Sequence, residues 1–239
     1  ERVTTIENHI KKSKFSDTKD SPQIKIRYTR MRAKLFAYLR PYGATRRNYP
    51  DSDQTLAARY ARAIAEFRLS KLDKAIAIMD DLIREYPTDP YFQEMKGQML
   101  YENGQIQGAI ELYSKAAALL PQAPYIRRDL ARAQIDSGDS NHLKRAITNL
   151  EVALANDSRS ARNWRFLAIA HGRSGNLPKS YLALGEEALL LGKSGRARFQ
   201  ANRAKKAFAR GTREWLQADD ILIAADELDR ALKRRKKNK

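Results

Sequence analysis

The stretch Gly104–Pro121, GQIQGAIELYSKAAALLP, has the pattern of one amphipathic helix with a turn before it and a stop after it. Ala109, Tyr113 and Ala116 follow one another at steps of four and three residues, which places them on a single helical face. Gly104 suits the turn that precedes the helix, and the proline at the end of the stretch stops it. The stretch therefore predicts a helix that packs through small and aromatic side chains.

The same pattern recurs at a fixed interval on both sides of this stretch. Lys71–Pro87 reads KLDKAIAIMDDLIREYP and matches it after a shift of 34 residues, so that Ala75 falls on Ala109. The following copy puts Ala146 in that position, where the period grows to 37 residues. We expect the three additional residues, within Asp136–Ala146, to lengthen a turn and to leave the packed faces unchanged. Such a period is typical of stacked helical hairpins.

The fourth copy carries the most specific motif of the chain. Trp164, Leu167 and Ala168 have the spacing W-x-x-L-A, and Gly175 follows where the turn belongs. With this motif and the repeated pattern, residues 54–207 resemble a tetratricopeptide-repeat array, whose opening helix has a Trp at the first position of the motif. The resemblance implies an all-α fold, a right-handed α-solenoid of tetratricopeptide-type helical hairpins, which binds protein or peptide ligands.

The pattern divides the chain into five predicted segments. Residues 1–20 are interpreted as a linker from an absent upstream domain, and residues 21–53 as an amphipathic helix followed by a loop. The repeat array takes residues 54–211, with about four to five repeats. Residues 212–232 are predicted to form a capping helix, and residues 233–239 a disordered basic tail.

Two packing details follow from small residues in the array. Gly97 falls where the two helices of a hairpin come closest, because a residue without a side chain permits that approach. The segment Pro178–Leu191 fits two roles, as the second helix of the fourth repeat or the first helix of a fifth. The sequence leaves that assignment open.

Before the array, the segment after Ser21-Pro22 predicts a helix over about residues 22–40. We expect this helix to cover the first repeat and to keep its basic face in solvent; the alternative is a contact of that face with phosphate or membrane. Apolar residues recur along the helix at Ile24, Tyr28, Met31, Leu35 and Leu39, and the basic face holds Lys25, Arg27, Arg30, Arg32 and Lys34.

The net charge of +18 lies at the two ends of the chain. Residues 1–50 hold 13 Lys and Arg against 4 Asp and Glu, residues 51–191 hold 18 of each, and residues 192–239 hold 15 against 6. Phosphate binding along a repeat groove would favour basic residues spread over the array. The ends are therefore interpreted as contact or anchoring surfaces. A basic patch is predicted from Arg196, Arg198, Arg203, Lys205, Lys206 and Arg210.

The resemblance to tetratricopeptide repeats implies that the opening helices line a binding groove. Tyr offers a large contact area at low entropic cost and Arg can bind carboxylates in a bidentate manner, so both suit peptide capture. The implied groove residues are Tyr60, Ile64, Arg68, Tyr91, Glu94, Gln98, Tyr101, Tyr125, Arg128, Arg132, Arg165, Ile169 and Arg173.

The sequence offers no catalytic constellation, so we predict that this chain is not an enzyme and holds no cofactor. It contains no cysteine, and its three histidines, His9, His142 and His171, lack the spacing of a zinc motif. The serines show no triad pattern, and no glycine-rich loop ends in Lys-Ser or Lys-Thr. We interpret His171 as a partly buried structural residue.

Four stretches also resemble the C-terminal region of HtpX/BepA-type bacterial zinc metallopeptidases: Arg30–Pro41, Arg59–Ala65, Pro90–Gly104 and Asn163–Asn176. This resemblance implies a protein of the bacterial periplasm or cell envelope, with the cytoplasm as the alternative. Its zinc would sit in an absent upstream protease domain. The repeats would position substrates, the protease domain or the outer-membrane assembly machinery.

The sequence thus favours a protein-protein interaction scaffold, as the substrate- or partner-positioning tail of a periplasmic zinc metalloprotease. The alternative is a basic helical-repeat module that binds nucleic acid or an anionic membrane through its charged flanks.

Overall fold

The computed structural model describes residues 8–9, 11–14 and 20–237. Regular structure in these residues is helical throughout, which confirms the predicted all-α class. The chain divides into two compact units, residues 1–85 and residues 86–239. No helix within the described residues is both long and apolar enough to cross a bilayer. The predicted linker at residues 1–20 falls mostly outside the described residues.

The first unit contains one helical hairpin and two helices that precede it. The hairpin consists of α3 and α4, and both α1 and α2 pack against α3. The four helices are α1 (Pro22–Leu39), α2 (Tyr42–Asn48), α3 (Leu56–Arg68) and α4 (Leu72–Glu85).

The N-terminal helix begins where the sequence predicts. The Ser21 hydroxyl accepts a hydrogen bond from the Ile24 backbone N–H at 3.3 Å, and Pro22 fills the first helical position. The segment after it, predicted as a loop, contains the short helix α2. The reason is tertiary packing, because Thr45 is fully buried and the ring of Tyr49 meets that of Phe36 edge to face at 5.7 Å.

The N-terminal helix covers the first repeat, as expected, but through an unexpected face. Ala33 and Ala37 are fully buried and Arg30 is 7% exposed. The basic face is therefore not wholly in solvent, since Arg30 belongs to the packed side. Small side chains let α1 approach α3 closely. The row of large apolar residues is left on the outside of the unit.

The second unit contains three successive hairpins, followed by α11 and α12. The hairpins pair α5 with α6, α7 with α8, and α9 with α10. The helices are α5 (Pro90–Glu102), α6 (Ile106–Leu119), α7 (Pro124–Asp136), α8 (Ser140–Asn156), α9 (Ala161–Arg173), α10 (Leu177–Leu190), α11 (Ser194–Ala207) and α12 (Arg213–Lys237).

The three additional residues of the third repeat lie in helix α8 and not in the turn. The turn between α7 and α8 is as short as its counterpart between α5 and α6, whereas α8 has 17 residues and α6 has 14. Asp139 caps α8 by accepting hydrogen bonds from the N–H groups of Asn141 and His142, both at 2.8 Å. The cap therefore starts the helix about one turn early. Ala146, Leu150 and Ala153 remain fully buried, so the packed faces are unchanged as predicted.

Helix α10 fulfils both of the roles that the sequence left open. It packs against α9 on one side and against α11 on the other, and it also contacts α12. Gly185 makes the last contact possible, because an added Cβ would lie 3.1 Å from a methyl carbon of Ile221.

The C-terminal helices follow the predicted faces but extend further. Ala197, Ala201 and Ala204 of α11 are fully buried, and the Trp215 backbone N–H donates to the Thr212 hydroxyl at 3.3 Å. Helix α12 continues to Lys237, so the predicted end at residue 232 and disordered tail from residue 233 are wrong within the described residues. Residues 238–239 lie outside them.

Candidate protein-binding groove

A cavity of about 460 Å³ opens between the first helices of the three hairpins of the second unit. We call this cavity the groove. The lining comes from α5, α7 and α9, together with one residue of α6. It is formed by Glu94, Gln98, Tyr101, Glu102, Tyr113, Arg128, Asp129, Arg132, Arg162 and Phe166. Five of the residues implied by the resemblance to tetratricopeptide repeats are thus brought together: Glu94, Gln98, Tyr101, Arg128 and Arg132.

Gly97 and Tyr113 set the floor of the groove. A Cβ added at Gly97 would lie 3.1–3.3 Å from carbons of the Tyr113 ring, so the glycine allows the ring to lie flat against α5. This confirms the predicted close approach at Gly97. Burial and the nearby carboxylates, Asp129 first, raise the pKa of Tyr113 above its ordinary value, so its hydroxyl stays protonated.

Part of the groove's polar lining is already engaged. Arg128 contacts the Asp129 carboxylate, with Nη2 at 2.8 Å and Nε at 2.9 Å from Oδ1. Its guanidinium also lies 5.1 Å from the centre of the Tyr125 ring. On α5, the Gln98 amide donates to Glu102 Oε1 at 2.7 Å. These contacts fix side chains in place and neutralise Arg128.

Two guanidinium groups of the groove have no carboxylate partner within the described residues. Arg132 lies over the Tyr101 ring at 4.4 Å from its centre, and Arg162 is exposed on α9. The Tyr101 hydroxyl donates to Asp136, and burial together with that contact raises the pKa of Tyr101 to about 12. Arg132 and Arg162 are therefore the groups that can bind an incoming carboxylate.

Arg162 and Phe166 were missed by sequence reasoning, although a signal for them exists. A shift of 37 residues maps Tyr125 onto Arg162 and Asp129 onto Phe166. The same shift maps Arg128 onto Arg165, which is one of the groove residues implied by the resemblance. Arg165 instead forms an ion pair with a carboxylate of α10 at 3.3 Å.

The other groove residues that the resemblance implies in the second unit do not line the groove. Tyr91 and Tyr125 are exposed but outside the lining, as is half-buried Ile169. Arg173 donates to the Ile135 carbonyl at 2.7 Å and so links α9 to α7.

In the first unit, the implied groove positions are not available to a ligand. Tyr60 and Ile64 are fully buried, so they belong to the core. Arg68 donates to the backbone carbonyls of Ala37 and Arg40, the second at 2.8 Å. These bonds hold the end of α1 against α3, so the helix lies over the face that a groove would need.

The predicted basic patch is largely occupied by contacts within the second unit. Arg198 forms ion pairs with Asp226 at 2.7 Å and Asp229 at 2.6 Å, and Lys205 pairs with Asp219. All three carboxylates belong to α12. Residues that appeared free in the sequence thus attach α11 to α12.

The remaining four residues of the predicted basic patch differ in whether they have a contact partner. Arg203 lies 3.8 Å from the centre of the Tyr181 ring, and Arg196 is 3.7 Å from a carboxylate of α10. Lys206 and Arg210 have no ion pair within the described part of the chain. Three cations without a carboxylate partner in the described part of the chain, Arg203, Lys206 and Arg210, make a weaker anion-binding surface than the six that the sequence suggested.

A second cavity, of about 510 Å³, lies between α8, α9, α10 and α12. Trp164 and His171 are in its wall, and His171 is only 8% exposed. Burial and then the charge of Lys179 lower the pKa of His171, so its imidazole stays neutral near pH 7. The described residues contain no cluster of three or more His, Asp or Glu side chains able to hold a metal ion.

Comparison with known proteins agrees with this architecture. Residues 42–90 and 60–124 match a family model described as tetratricopeptide repeat. A TPR repeat-containing protein of Methanocaldococcus jannaschii is 30% identical over 135 residues, which are 55% of this chain and 23% of that protein. The chain therefore spans about a quarter of the length of this relative. Tetratricopeptide repeats generally mediate contacts between proteins.

Solved structures of MamA share the fold. MamA from Desulfovibrio magneticus RS-1 has a TM-score of 0.53 and 19% identity, over 72% of this chain and 94% of that chain. A structure described as MamA AMB-1 has a TM-score of 0.57 and 16% identity, over 68% of this chain and 97% of that chain. At these identities the likeness concerns the fold alone, an all-α tetratricopeptide-type solenoid.

Proposed function

We propose that this chain is a protein-interaction scaffold that binds an acidic segment of a partner in the groove. The observation that carries the proposal is the pair of guanidinium groups, Arg132 and Arg162, which have no carboxylate partner within the described residues. They belong to two different helices, α7 and α9, so a segment lying across the groove would meet both. Phe166, one turn after Arg162 on α9, adds an apolar contact to the lining.

The groove suits a segment with mixed character. Arg132 and Arg162 would bind carboxylates, while the neutral hydroxyl of Tyr113 can donate a hydrogen bond to a backbone carbonyl. Glu94 and Glu102 lie on the opposite side and disfavour a segment that is acidic at every position. A ligand with a few carboxylates between apolar residues therefore fits best.

The test uses a fluorescein-labelled peptide of twelve residues in which Asp and Glu alternate with Leu and Phe, and its Asn/Gln counterpart. Fluorescence anisotropy at low and physiological salt gives the two affinities. We expect the intact chain to bind the acidic peptide about tenfold more tightly. The double variant Arg132→Glu/Arg162→Glu should lose that preference.

A matched control separates the groove from the overall positive charge of the chain. Arg145→Glu/Arg159→Glu changes the net charge by the same amount at exposed positions outside the groove. Its affinity for the acidic peptide should stay within about twofold of the unmodified chain. Equal losses in the two double variants would mean non-specific attraction, and the groove proposal would then be abandoned.

We further propose that the chain acts as the substrate- or partner-positioning tail of a zinc metalloprotease in the bacterial periplasm or cell envelope. The support is the resemblance of Arg30–Pro41, Arg59–Ala65, Pro90–Gly104 and Asn163–Asn176 to such proteins. Zinc would be held by an upstream protease domain. The chain's own contribution would be the groove, which could hold a substrate or an adaptor beside the protease.

The coding sequence upstream of residue 1 tests this second proposal directly. A His-Glu-x-x-His motif in the same reading frame supports it, and zinc should then be found in the longer protein but not in this chain. An upstream domain of another class would exclude the protease role and leave peptide binding by the groove untouched.

A further inference from the structure

The outer face of helix α1 carries a row of large apolar side chains that the described residues of the first unit leave uncovered. Each member is at least half exposed, and Leu39 is 76% exposed. Large apolar side chains gain free energy when they leave water, so the row represents substantial unused binding energy. We call these residues the α1 row: Ile24, Tyr28, Met31, Leu35 and Leu39.

The orientation of the row is fixed by contacts on the opposite side of the helix. Ala33 and Ala37 are fully buried against the unit, and Arg68 holds the carbonyls of Ala37 and Arg40. Turning the large residues inward would break these contacts and move Ala33 and Ala37 out of the packed face. The α1 row therefore belongs to a rigid, preorganised surface.

The spacing of the row identifies the shape of its partner. The members follow at steps of four, three, four and four residues, which keeps them within a narrow arc of the helix. Arg27 borders this arc on one side and Arg32 on the other. A narrow seam of this kind fits the side of another helix, whereas insertion into a lipid interface favours a broader apolar face.

The charges around the row identify the chemistry of the partner. Helix α1 carries five Lys and Arg, of which only Arg30 is on the packed side, and no Asp or Glu. Two copies of α1 facing each other would bring like charges together along the whole seam, which disfavours self-association. Acidic side chains at the flanking positions of a partner helix would pair with them and set its register.

We propose that the α1 row is a docking surface for an acidic amphipathic helix of a partner protein. The surface is separate from the groove, and its use does not depend on peptide binding there. Apolar residues of the partner would pack between Tyr28, Met31 and Leu35, and its flanking carboxylates would meet Arg27 and Arg32.

The probe is a synthetic peptide of three heptads with Leu at the two seam positions of each heptad and Glu at the flanking positions. A second peptide has Lys at the flanking positions. Glu repulsion keeps the first peptide largely monomeric and unfolded alone, so binding can be followed by anisotropy and by the gain of helical circular dichroism. We expect the full chain to bind the Glu peptide at least about tenfold more tightly than the Lys peptide.

Three variants make the result specific. Met31→Glu/Leu35→Glu should weaken binding of the Glu peptide by about tenfold or more. Leu216→Glu/Ile223→Glu places the same change on exposed apolar residues of α12 and should leave the affinity within about twofold. Arg27→Glu/Arg32→Glu should reverse the preference toward the Lys peptide. All altered residues are exposed. Far-ultraviolet circular dichroism is the check that each variant remains folded.

Several outcomes would overturn the proposal. The first is that neither peptide binds, or that both apolar-to-Glu variants weaken binding equally. A chain that sediments as a dimer dissociated by Met31→Glu/Leu35→Glu would assign the row to a second copy instead. Binding to phosphatidylglycerol vesicles that is lost in the same variant, without binding of the Glu peptide, would assign it to a lipid surface.

Discussion

The opening helix of the first unit and those of the second unit follow one sequence pattern but present different surfaces. In the first unit α3 is covered by α1, and its implied ligand-binding position Tyr60 is fully buried. In the second unit the equivalent position on α5, Glu94, lines the groove. The repeat pattern thus fixes the hairpin, while the neighbouring elements decide whether its outer face is core or binding site.

The contrast also concerns what is left exposed. The first unit closes its repeat face but exposes the large apolar residues of α1. The second unit opens its repeat face and uses two of the six predicted basic-patch residues, Arg198 and Lys205, to attach α12. Unfolding and titration experiments can test these differences.

The largest effect is expected for Tyr60→Ala against Glu94→Ala. Removing the fully buried ring should cost about 3–5 kcal/mol of unfolding free energy, because it leaves a cavity in the core of the first unit. Removing the partly exposed Glu94 side chain should cost less than about 0.5 kcal/mol. Urea unfolding measures both. Similar costs at the two positions would show that the faces do not differ as described.

An intermediate effect is expected at the floor of the groove. Gly97→Leu should cost about 1–3 kcal/mol, because the added side chain must displace the Tyr113 ring. Gly195→Leu is the control, since nothing lies within 4 Å of an added Cβ there. That variant should be neutral or slightly stabilising in the same denaturant experiment. A stable Gly97→Leu chain would contradict the close approach of α5 and α6.

A smaller, reciprocal effect is expected at the turns of the hairpins. Ser70 has φ of 59°, whereas the corresponding turns of the second unit use glycine, as at Gly104 with φ of 77°. A side chain in this left-handed region costs about 1 kcal/mol. Ser70→Gly should therefore stabilise the first unit by up to about 1 kcal/mol, and Gly104→Ser should destabilise the second by a similar amount. Thermal and urea unfolding should give opposite signs for the two variants.

The smallest effect is a pH dependence that belongs to the second unit. The pKa of His171 is lowered in the folded chain, so the unfolded chain binds the proton more readily. The stabilising contribution of the neutral imidazole is complete above the ordinary pKa of 6.5 and is lost as the pH falls toward the lowered value. His171→Gln should remove this part of the slope. Unfolding free energies measured from pH 7 to 5 should therefore converge for the two chains; parallel curves would contradict the assignment.

Local signals in the sequence were sufficient to predict the hairpins, but they did not predict several of the helix ends. Ser21, Thr212 and the period of 34 residues located helices correctly because caps and apolar faces act within one or two turns. The cap at Asp139 was overlooked, and the additional residues were placed in the turn instead of α8. Helix α2 was missed since its stability comes from the burial of Thr45 and Tyr49 in the first unit.

The candidate groove was predictable in part for the same reason. Five of its residues lie on the exposed faces of opening helices, and their positions in the repeat predicted them: Glu94, Gln98, Tyr101, Arg128 and Arg132. Which arginines remain able to bind a carboxylate could not be read from the sequence. That property depends on whether a carboxylate from another helix is within reach, as it is for Arg165 and Arg198 but not for Arg132.

The amino-acid sequence by itself determined the all-α class, the repeated hairpins and the buried small residues, because these depend on periodicities of three to four residues and on turn chemistry. The tertiary structure decided which faces are covered: α1 lies over α3 through Ala33 and Ala37, and the α1 row is left outside. Helix packing selects the face that allows the closest approach over the whole contact. That choice depends on the surface shapes of both packed helices. The apolar pattern of a helix describes only that helix and not the surface it packs against.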